Sequence, residues 1–255
     1  PPSETRNFTI NPGVAIGSGT DNNRIPVNPY YGYNYTQSIF LQSEINMSNQ
    51  RIERISYYWN GAGVGTNTSD WVIYMGHVAR AAFASRSDWE PLANLTQVFS
   101  GSVLSSFPAE GQWLEITLDT PFDYDNVNNL LVAIYENTPG WTSPPTYWGS
   151  FTSGSNTGLY YYHSVNIPDP NNPPTAHAMT DLLAAAQLDF IANLPPLAPT
   201  LLLPENNATV MNGNALKWTQ PPGSFDAESY DVYVDGILVS EDQAAAEYII
   251  NGLAE

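Results

Sequence analysis

The stretch IERISYYW, residues 52–59, decides the fold class because its side chains alternate with a period of two. Ile55, Tyr57 and Trp59 share one face of an extended chain, and the residues between them share the other. One apolar face opposite a more polar one is typical of an antiparallel sheet packed on a core. The stretch WLEITLD, residues 113–119, repeats the pattern.

Runs of the same kind recur along the chain, separated by turns rich in Gly, Pro and Asn. The predicted strands are Thr36–Leu41, Ile52–Trp59, Trp71–Arg80, Leu95–Gly101, Trp113–Asp119, Leu130–Glu136, Thr146–Phe151, Leu159–His163 and Gln187–Ala192. Only Thr180–Leu188 has the apolar spacing of a helix, and it is equally compatible with the approach to the last strand. These short strands predict an all-β fold, a jelly-roll-like antiparallel β-sandwich.

A proline-rich joint at residues 194–199 divides the chain into residues 1–194 and 195–255. Further strands are predicted at Thr200–Leu203, Thr209–Trp218, Ser229–Val234, Ile237–Ser240 and Glu247–Ile250. With its proline-rich entry, ALKWT at 215–219 and YDVYVDG at 230–236, this segment resembles a fibronectin type III module. The resemblance implies an incomplete Ig-like β-sandwich, and we expect its last strands to lie outside this chain.

Four stretches of the first segment carry a second resemblance. They are YTQSIF at 35–40, WVIYMGH at 71–77, LTQVFSG at 95–101 and TPFDY at 120–124. In them the segment is similar to jelly-roll modules of large secreted proteins of Bacteroidetes-type bacteria, often exported by type IX secretion. The resemblance implies an extracellular or cell-surface setting, with an adhesion or accessory role. We expect the signal peptide and sorting domain to lie outside this chain.

The charge balance excludes two classes of partner. The 255 residues include 25 acidic and 7 basic side chains, for a net charge of −18 at pH 7, and Lys217 is the single lysine. Nucleic acids and anionic membranes both require clustered Lys and Arg, so we expect neither as a partner. Apolar runs are far shorter than the ~20 residues that span a bilayer, so we expect no membrane insertion. The absence of cysteine excludes disulfides and thiolate metal sites.

Motifs for catalysis have little support. There is no Gly-x-Ser-x-Gly elbow and no His-Glu-x-x-His pair, and His77, His163 and His177 lie in separate segments. We interpret His77 and His163, which fall in predicted strands, as hydrogen-bonded structural residues. The many carboxylates offer pairs for glycoside hydrolysis, but nothing selects one pair. We therefore predict that the chain is not an enzyme.

The stretch DYDNVNN, residues 123–129, groups oxygen-bearing side chains in one turn between two predicted strands. Calcium takes about six to eight oxygen ligands, which such a turn supplies together with its carbonyl groups. We predict Asp123, Asp125 and Asn128 as calcium ligands and Ca²⁺ as the cofactor. The alternative is a polar hairpin held by Asx turns.

Clustered aromatic residues form the other candidate site. Alternation places Tyr160 and Tyr162 on the face opposite Tyr161. Exposed rings present apolar surfaces with polar edges, which suit sugars or another protein. The predicted ligand-binding residues are Tyr31, Tyr33, Trp141, Trp148, Tyr160 and Tyr162. The alternative is that these rings pack the sandwich and its loops.

The favoured function is a non-catalytic extracellular adhesion or structural module of a larger secreted or cell-surface bacterial protein. Its partners would be other domains of the same polypeptide, and glycans or surface proteins. Two alternatives stay open. One is a carbohydrate-binding accessory domain of a secreted hydrolase, favoured if the aromatic rings are exposed and coplanar. The other is an extracellular filament, in which a neighbouring chain completes the type III module by strand exchange.

Overall fold

The computed structural model describes residues 13–19, 21–47, 50–61, 67–141, 147–192, 199–205, 208–219, 229–234, 236–243 and 245–251. The chain divides into two compact units, Pro1–Asn193 and Leu194–Glu255, at the start of the proline-rich joint. Within the described residues, no helix is long and apolar enough to cross a bilayer.

The first unit is built from antiparallel strands. They are β1 Val14–Ile16, β2 Asp21–Asn23, β3 Tyr33–Phe40, β4 Gln50–Trp59, β5 Asp70–Val78, β6 Thr96–Ser102, β7 Gln112–Tyr124, β8 Asn129–Glu136, β9 Trp148–Thr152, β10 Gly158–His163, β11 Ala178–Thr180, β12 Leu182–Ala184 and β13 Ala186–Ala192. Helix α1, Gln42–Ile45, and two short 3₁₀ helices, Leu92–Asn94 and Leu104–Ser106, lie in the connections. Every strand predicted for this unit is present, and Thr180–Leu188 forms strands rather than a helix.

The strand order is that of a jelly roll. One sheet contains β1, β13, β4 and β7 in that order, and the other contains β3, β8, β5 and β6. Along the chain, each of these eight strands lies in the opposite sheet from the one before it, except β6, which pairs with β5. Strands β2, β9 and β12 are added to the first sheet, whereas β10 and β11 extend the second sheet beyond β3. Strand β10 carries Tyr160 and Tyr162, so these candidate residues lie on an addition to the eight-stranded plan.

Strand β4 shows how the alternating sequence is used. Ile55, Tyr57 and Trp59 are buried, as the pattern predicts. Ile52 is also buried, although it lies three residues before Ile55. The reason is a β-bulge at Glu53, which has no opposite residue in β13 and shifts the side chains before it to the other face. The strand pairs with β13 on one side and β7 on the other.

The core between the sheets is built around three fully buried tryptophans, Trp59, Trp71 and Trp148. The Trp148 ring meets Trp59 edge-on at 4.8 Å between centroids, and it meets Trp71 at 5.8 Å and Tyr57 at 6.1 Å. Such contacts contribute about 0.5–1.5 kcal/mol per pair beyond the burial itself. The Trp148 indole N–H donates to the Val27 carbonyl oxygen at 2.7 Å, so its polar atom is satisfied.

The outer face of the second sheet is covered by residues 79–95. Phe83 and Trp89 from this segment pack on a second buried cluster of strand residues. The Gln37 side chain in β3 fixes the segment, because its Nε2 donates to the Glu90 carbonyl at 2.9 Å and its Oε1 accepts from the Glu90 N–H at 2.8 Å. This sheet is therefore covered on both faces, and its exposed aromatic residues lie at its edge.

The second unit contains two small antiparallel sheets. Its strands are β14 Thr200–Leu203, β15 Ala215–Thr219, β16 Tyr230–Val234, β17 Ile237–Gln243 and β18 Glu247–Ile249. Strands β14, β15 and β18 form one sheet and β16 and β17 the other, which is the two-sheet plan of an Ig-like sandwich. Trp218 is buried and meets Tyr230 at 5.3 Å between ring centroids. The apolar residues 201–203 and 237–239 are exposed.

Candidate functional site

A row of aromatic rings, which we call the tyrosine ridge, lies where β10 extends the second sheet. In spatial order, its members are Trp141, Tyr30, Tyr31, Tyr162 and Tyr160. Successive ring centroids are 6.2, 5.2, 4.3 and 5.5 Å apart. Trp141 is 66% exposed and Tyr30 is 43% exposed, whereas the other three are half-buried. The ridge is thus exposed at one end and anchored in the fold at the other.

Strand geometry explains how the ridge forms. Alternation in β10 places Tyr160 and Tyr162 side by side with only 6° between their ring planes, while Tyr161 stacks on histidine rings instead. Pairing of β3 with β10 sets Asn34 opposite Tyr162. The chain that enters β3 therefore brings Tyr31 against the Tyr162 ring, with 25° between the planes.

A buried polar network fixes the segment that carries Tyr30 and Tyr31. The Asn34 Nδ2 donates to the Tyr31 carbonyl at 3.2 Å and to Glu136 Oε2 at 3.1 Å. The Asn67 Nδ2 donates to the Pro29 carbonyl at 2.7 Å. Asn34, Asn67 and Glu136 are all buried, so the backbone of the segment is held from the interior rather than by its exposed rings.

Glu136 is the ionisable member of this network and is 0% exposed. Burial raises the pKa of its carboxyl to about 8, against the lowering effect of hydrogen bonds from Thr138 and Asn34, and Asp70 raises it further. The Thr138 N–H donates to Oε1 at 2.7 Å. Glu136, which is hydrogen-bonded to Asn34, therefore changes its protonation state near pH 8, at a pKa of about 8.

The structure brings together four of the six predicted ligand-binding residues. Tyr31, Trp141, Tyr160 and Tyr162 lie in the ridge, and ligand binding by them stays a prediction. Tyr33 lies on the other face of β3, because alternation places it with Tyr35, which belongs to the cluster under residues 79–95. The prediction for Trp148 is wrong, because its ring is enclosed by the other core tryptophans.

Two residues beside the ridge were not predicted from the sequence. Asn23 and Arg24 line a shallow cavity of about 180 Å³ together with Ile25, Tyr160 and Tyr162. The sequence contained one signal that could have drawn attention to Arg24: basic side chains are scarce, and Arg24 is one of six arginines in a chain with 25 acidic residues. Without the pairing of β2 with β9, nothing in the sequence places this arginine near β10.

Two structures of one clostridial protein are similar to this chain. One is the clostridial cysteine protease Cwp84 after propeptide cleavage, and the other contains the cysteine protease and lectin-like domains of Cwp84, a surface layer associated protein of Clostridium difficile. Each matches with 8% identity and a TM-score of 0.38 over 63% of this chain, which spans 36% and 32% of theirs. Similarity this low is evidence for neither a shared fold nor a shared function.

No protein-family model matches the chain, and no curated protein matches it in sequence.

Because the chain contains no cysteine, it has no cysteine nucleophile. The histidines expected to be structural have such partners: His77 Nε2 accepts from the Asp125 N–H at 3.1 Å, and His163 Nδ1 accepts from the N–H groups of Val165 and Asn166 at 3.0 and 2.8 Å.

The turn predicted to bind calcium is held by side-chain hydrogen bonds. Asp125 Oδ1 accepts from the N–H groups of Val127 and Asn128 at 2.8 and 2.9 Å, and its Oδ2 accepts from Asn128 Nδ2 at 2.8 Å. Partial burial raises the pKa of Asp125, but these hydrogen bonds outweigh it, so the pKa lies below its usual value. Asp123 pairs instead with Arg51 at 2.8 Å. The turn thus has the Asx-turn geometry of the alternative interpretation.

Calcium binding by Asp123, Asp125 and Asn128 stays a prediction. In the part of the chain that the structure describes, no three His, Asp or Glu side chains are grouped to hold a metal ion. Melting in excess EDTA and in millimolar Ca²⁺ tests the site directly. A higher melting temperature in Ca²⁺ that both Asp123→Ala and Asp125→Ala abolish would support it, and identical curves would contradict it.

A separate prediction follows from the Asx turn and is tested in EDTA, without calcium. We expect Asp125→Ala to lower the free energy of unfolding by about 1–2 kcal/mol, because three hydrogen bonds lose their acceptor. Asp123→Ala is the matched control, because it removes an ion pair with a largely exposed carboxylate, worth about 0–1 kcal/mol. Equal losses for the two variants in denaturant titrations would contradict the role assigned to Asp125.

Proposed function

We propose that the chain is a non-catalytic adhesion or structural module of a larger secreted or cell-surface protein. The observation that carries this proposal is the tyrosine ridge. Tyr and Trp are the residue types that most often dominate recognition surfaces, because they bury much area with few rotatable bonds. Here they extend from exposed Trp141 to Tyr160 on a strand that the jelly roll itself does not need.

Two properties of the sequence support the extracellular setting. The first unit is similar to jelly-roll modules of secreted Bacteroidetes-type proteins, and the second resembles a fibronectin type III module. The net charge of −18 disfavours nucleic acids and anionic membranes as partners. Other domains of the same polypeptide, together with glycans or surface proteins, remain the partners of this proposal.

A carbohydrate-binding accessory role is the second candidate. It is favoured by the cavity of about 180 Å³ that adjoins the ridge at Tyr160 and Tyr162. The nearly parallel rings of these two residues face each other at 5.5 Å, so a sugar would meet ring edges and the outer face of the stack rather than a flat platform. The cavity supplies the concave surface that the stacked rings lack.

Completion of the second unit by another chain is the third candidate. It is favoured by the exposure of apolar residues 201–203 and 237–239 in that unit. Exposed apolar strands pair readily with a strand from another molecule. Sedimentation of the chain over a range of concentrations tests this candidate, because strand exchange requires assembly and a purely monomeric chain would contradict it.

Binding to a glycan array and to a panel of purified extracellular matrix and cell-surface proteins tests the main proposal. We expect at least one positive ligand, and we expect the double variant Tyr30→Ala/Trp141→Ala to weaken it about tenfold or more at an unchanged melting temperature. Val127→Ala is the control, because it removes another exposed apolar side chain that is not a member of the ridge. No ligand for the intact chain, or equal binding by the ridge variant, would contradict the adhesion role.

A further inference from the structure

The cavity beside the ridge has a cation at its wall. Arg24 follows β2 and lines the cavity with Asn23 and Ile25, opposite Tyr160 and Tyr162 of β10. A volume of about 180 Å³ is the space of about six liquid waters at ~30 Å³ each. That space holds one sugar ring, and the neighbouring sugars of an oligosaccharide would lie outside it.

Arg24 differs from the other half-buried arginines in its electrostatic partners. Arg51, Arg54 and Arg80 each pair with carboxylates at 2.7–3.2 Å. Among the described residues, neither a carboxylate nor a hydrogen-bond acceptor engages the Arg24 guanidinium, although the chain has 25 acidic residues for 7 basic ones. In such an excess of carboxylates, a half-buried guanidinium with no protein carboxylate beside it leaves its donors available to a ligand.

The backbone that carries the guanidinium is fixed by Asn23. The Asn23 Oδ1 accepts from the backbone N–H of Arg24 at 2.7 Å, and the Asn23 Nδ2 donates to the Leu182 carbonyl in β12 at 2.8 Å. The Arg24 guanidinium carbon lies 5.5 Å from the centroid of the Tyr147 ring, within the range of a cation–π interaction. Asn23 thus fixes the backbone at Arg24, and the Tyr147 ring is the contact of the guanidinium itself.

Tyr162 adds a hydroxyl donor to the same wall. Burial, together with Tyr160 and Tyr31, raises the pKa of its phenol, and the nearby Arg24 charge opposes this shift. The hydroxyl therefore stays protonated at neutral pH and has a proton to donate to a ligand. The aromatic carbon atoms of Tyr160 and Tyr162 provide apolar surface beside these donors.

We propose that this cavity binds a single carboxylate-bearing sugar unit, a uronic acid, with the carboxylate on the Arg24 guanidinium and the sugar ring against the edges and the outer face of the Tyr160–Tyr162 stack. A guanidinium matches a carboxylate with two parallel hydrogen bonds, and a sugar ring packs its C–H groups on aromatic carbon. The net charge of −18 repels polyanions, so the fitting ligand has one uronic acid among neutral sugars rather than a fully acidic chain. This inference rests on the proposed function, because it takes the ridge to be the binding surface.

Matched disaccharides test the inference with the full chain. The probes are disaccharides in which glucuronic or galacturonic acid is joined to a neutral sugar, and their carboxyl-reduced counterparts, which differ only in that carboxylate. We expect at least one acidic probe to bind about tenfold or more tighter than its neutral counterpart by calorimetry. Arg24→Gln should abolish that preference. Arg24→Lys should lose most of it, because an ammonium keeps the positive charge without the two parallel N–H donors of a guanidinium.

The control is Arg86→Gln, which makes the same change in net charge at an exposed arginine that donates to the His177 carbonyl. It should keep the preference, and melting curves should show that all variants fold. Equal affinities for acidic and reduced probes, no binding of either, or an unchanged preference in Arg24→Gln would overturn the inference. Arg24-dependent binding of a peptide through its C-terminal carboxylate, without uronate binding, would overturn it as well.

These outcomes are distinguishable from failure of the proposed function. If the ridge variant Tyr30→Ala/Trp141→Ala loses a ligand found on the arrays while Arg24→Gln has no effect on acidic sugars, only the uronate inference fails. If the ridge variant changes nothing, the adhesion proposal fails.

Discussion

Replacing Trp148 with alanine is expected to lower the free energy of unfolding of the jelly roll by about 3–5 kcal/mol. The ring is 0% exposed and contacts Tyr57, Trp59, Trp71 and Phe107. Its removal leaves a cavity between the sheets that these large, rigid neighbours cannot fill. A loss of this size is a large fraction of the ~5–15 kcal/mol that stabilises an ordinary domain.

The indole N–H adds a second, separable contribution. It is the donor to the buried Val27 carbonyl, and leaving such an acceptor unpaired costs about 1–3 kcal/mol. Trp148→Phe keeps an aromatic ring and removes this donor. Its free energy of unfolding should therefore lie between those of the wild type and the alanine variant. Guanidinium titrations followed by circular dichroism measure both losses.

Trp141→Ala is the matched control, because it removes the same side chain from a position that is 66% exposed. We expect its unfolding free energy to lie within about 0.5 kcal/mol of the wild type. Substitution of Trp148 thus tests the stability of the fold, whereas substitution of Trp141 tests recognition at the ridge. A stable Trp148→Ala variant, or a Trp141→Ala variant that loses as much stability, would contradict the placement of these rings.

The comparison of Trp141 with Trp148 shows what the sequence predicts and what it does not. Alternation and turn signals predicted the strands and the jelly-roll class, because the period of two is a local property of the backbone. Exposure is a tertiary property. Trp148 begins β9 opposite Trp59 of β4, a partner almost ninety residues earlier in the chain, and no local pattern identifies that pairing.

The ridge shows the same limit. Alternation correctly placed Tyr160 beside Tyr162, and proximity in sequence grouped Tyr31 with Tyr33. The structure separates this second pair, because Tyr31 precedes β3 while Tyr33 lies within it and faces the covered side. The three-residue strands β1, β2, β11 and β12 are too short for a periodic signal, and β2 is the strand that delivers Arg24 to the cavity.

The stability of the first unit is also expected to depend on pH through Glu136. The pKa of this carboxyl is about 8 in the folded chain, against an ordinary value of 4.5. Because the folded value is the higher one, the native state keeps a proton that the unfolded chain has released. The stabilising contribution is therefore complete below about pH 4.5 and is lost progressively as the pH rises to about 8.

Glu136→Gln removes this titration. Relative to the wild type, we expect its unfolding free energy to improve by about 3 kcal/mol between about pH 5 and about pH 8, at no more than ~1.4 kcal/mol per pH unit. Any constant cost of placing an amide beside the Thr138 N–H and Asn34 Nδ2 cancels in the comparison of the two pH values. Urea titrations of both proteins across this range measure the difference.

Glu110→Gln controls for the loss of one negative charge, because Glu110 is exposed and the chain carries a net charge of −18. A difference between wild type and Glu136→Gln that stays constant with pH would show that the buried carboxyl does not titrate in this range.

The expected ionisation of Glu136 also has a consequence for the tyrosine ridge. Asn34 Nδ2 donates to both Glu136 and the Tyr31 carbonyl, so ionisation strengthens the bond to Glu136 and changes the position of an amide that also holds the segment carrying Tyr31. Ridge-dependent binding measured at the two pH values should therefore change more in the wild type than in Glu136→Gln.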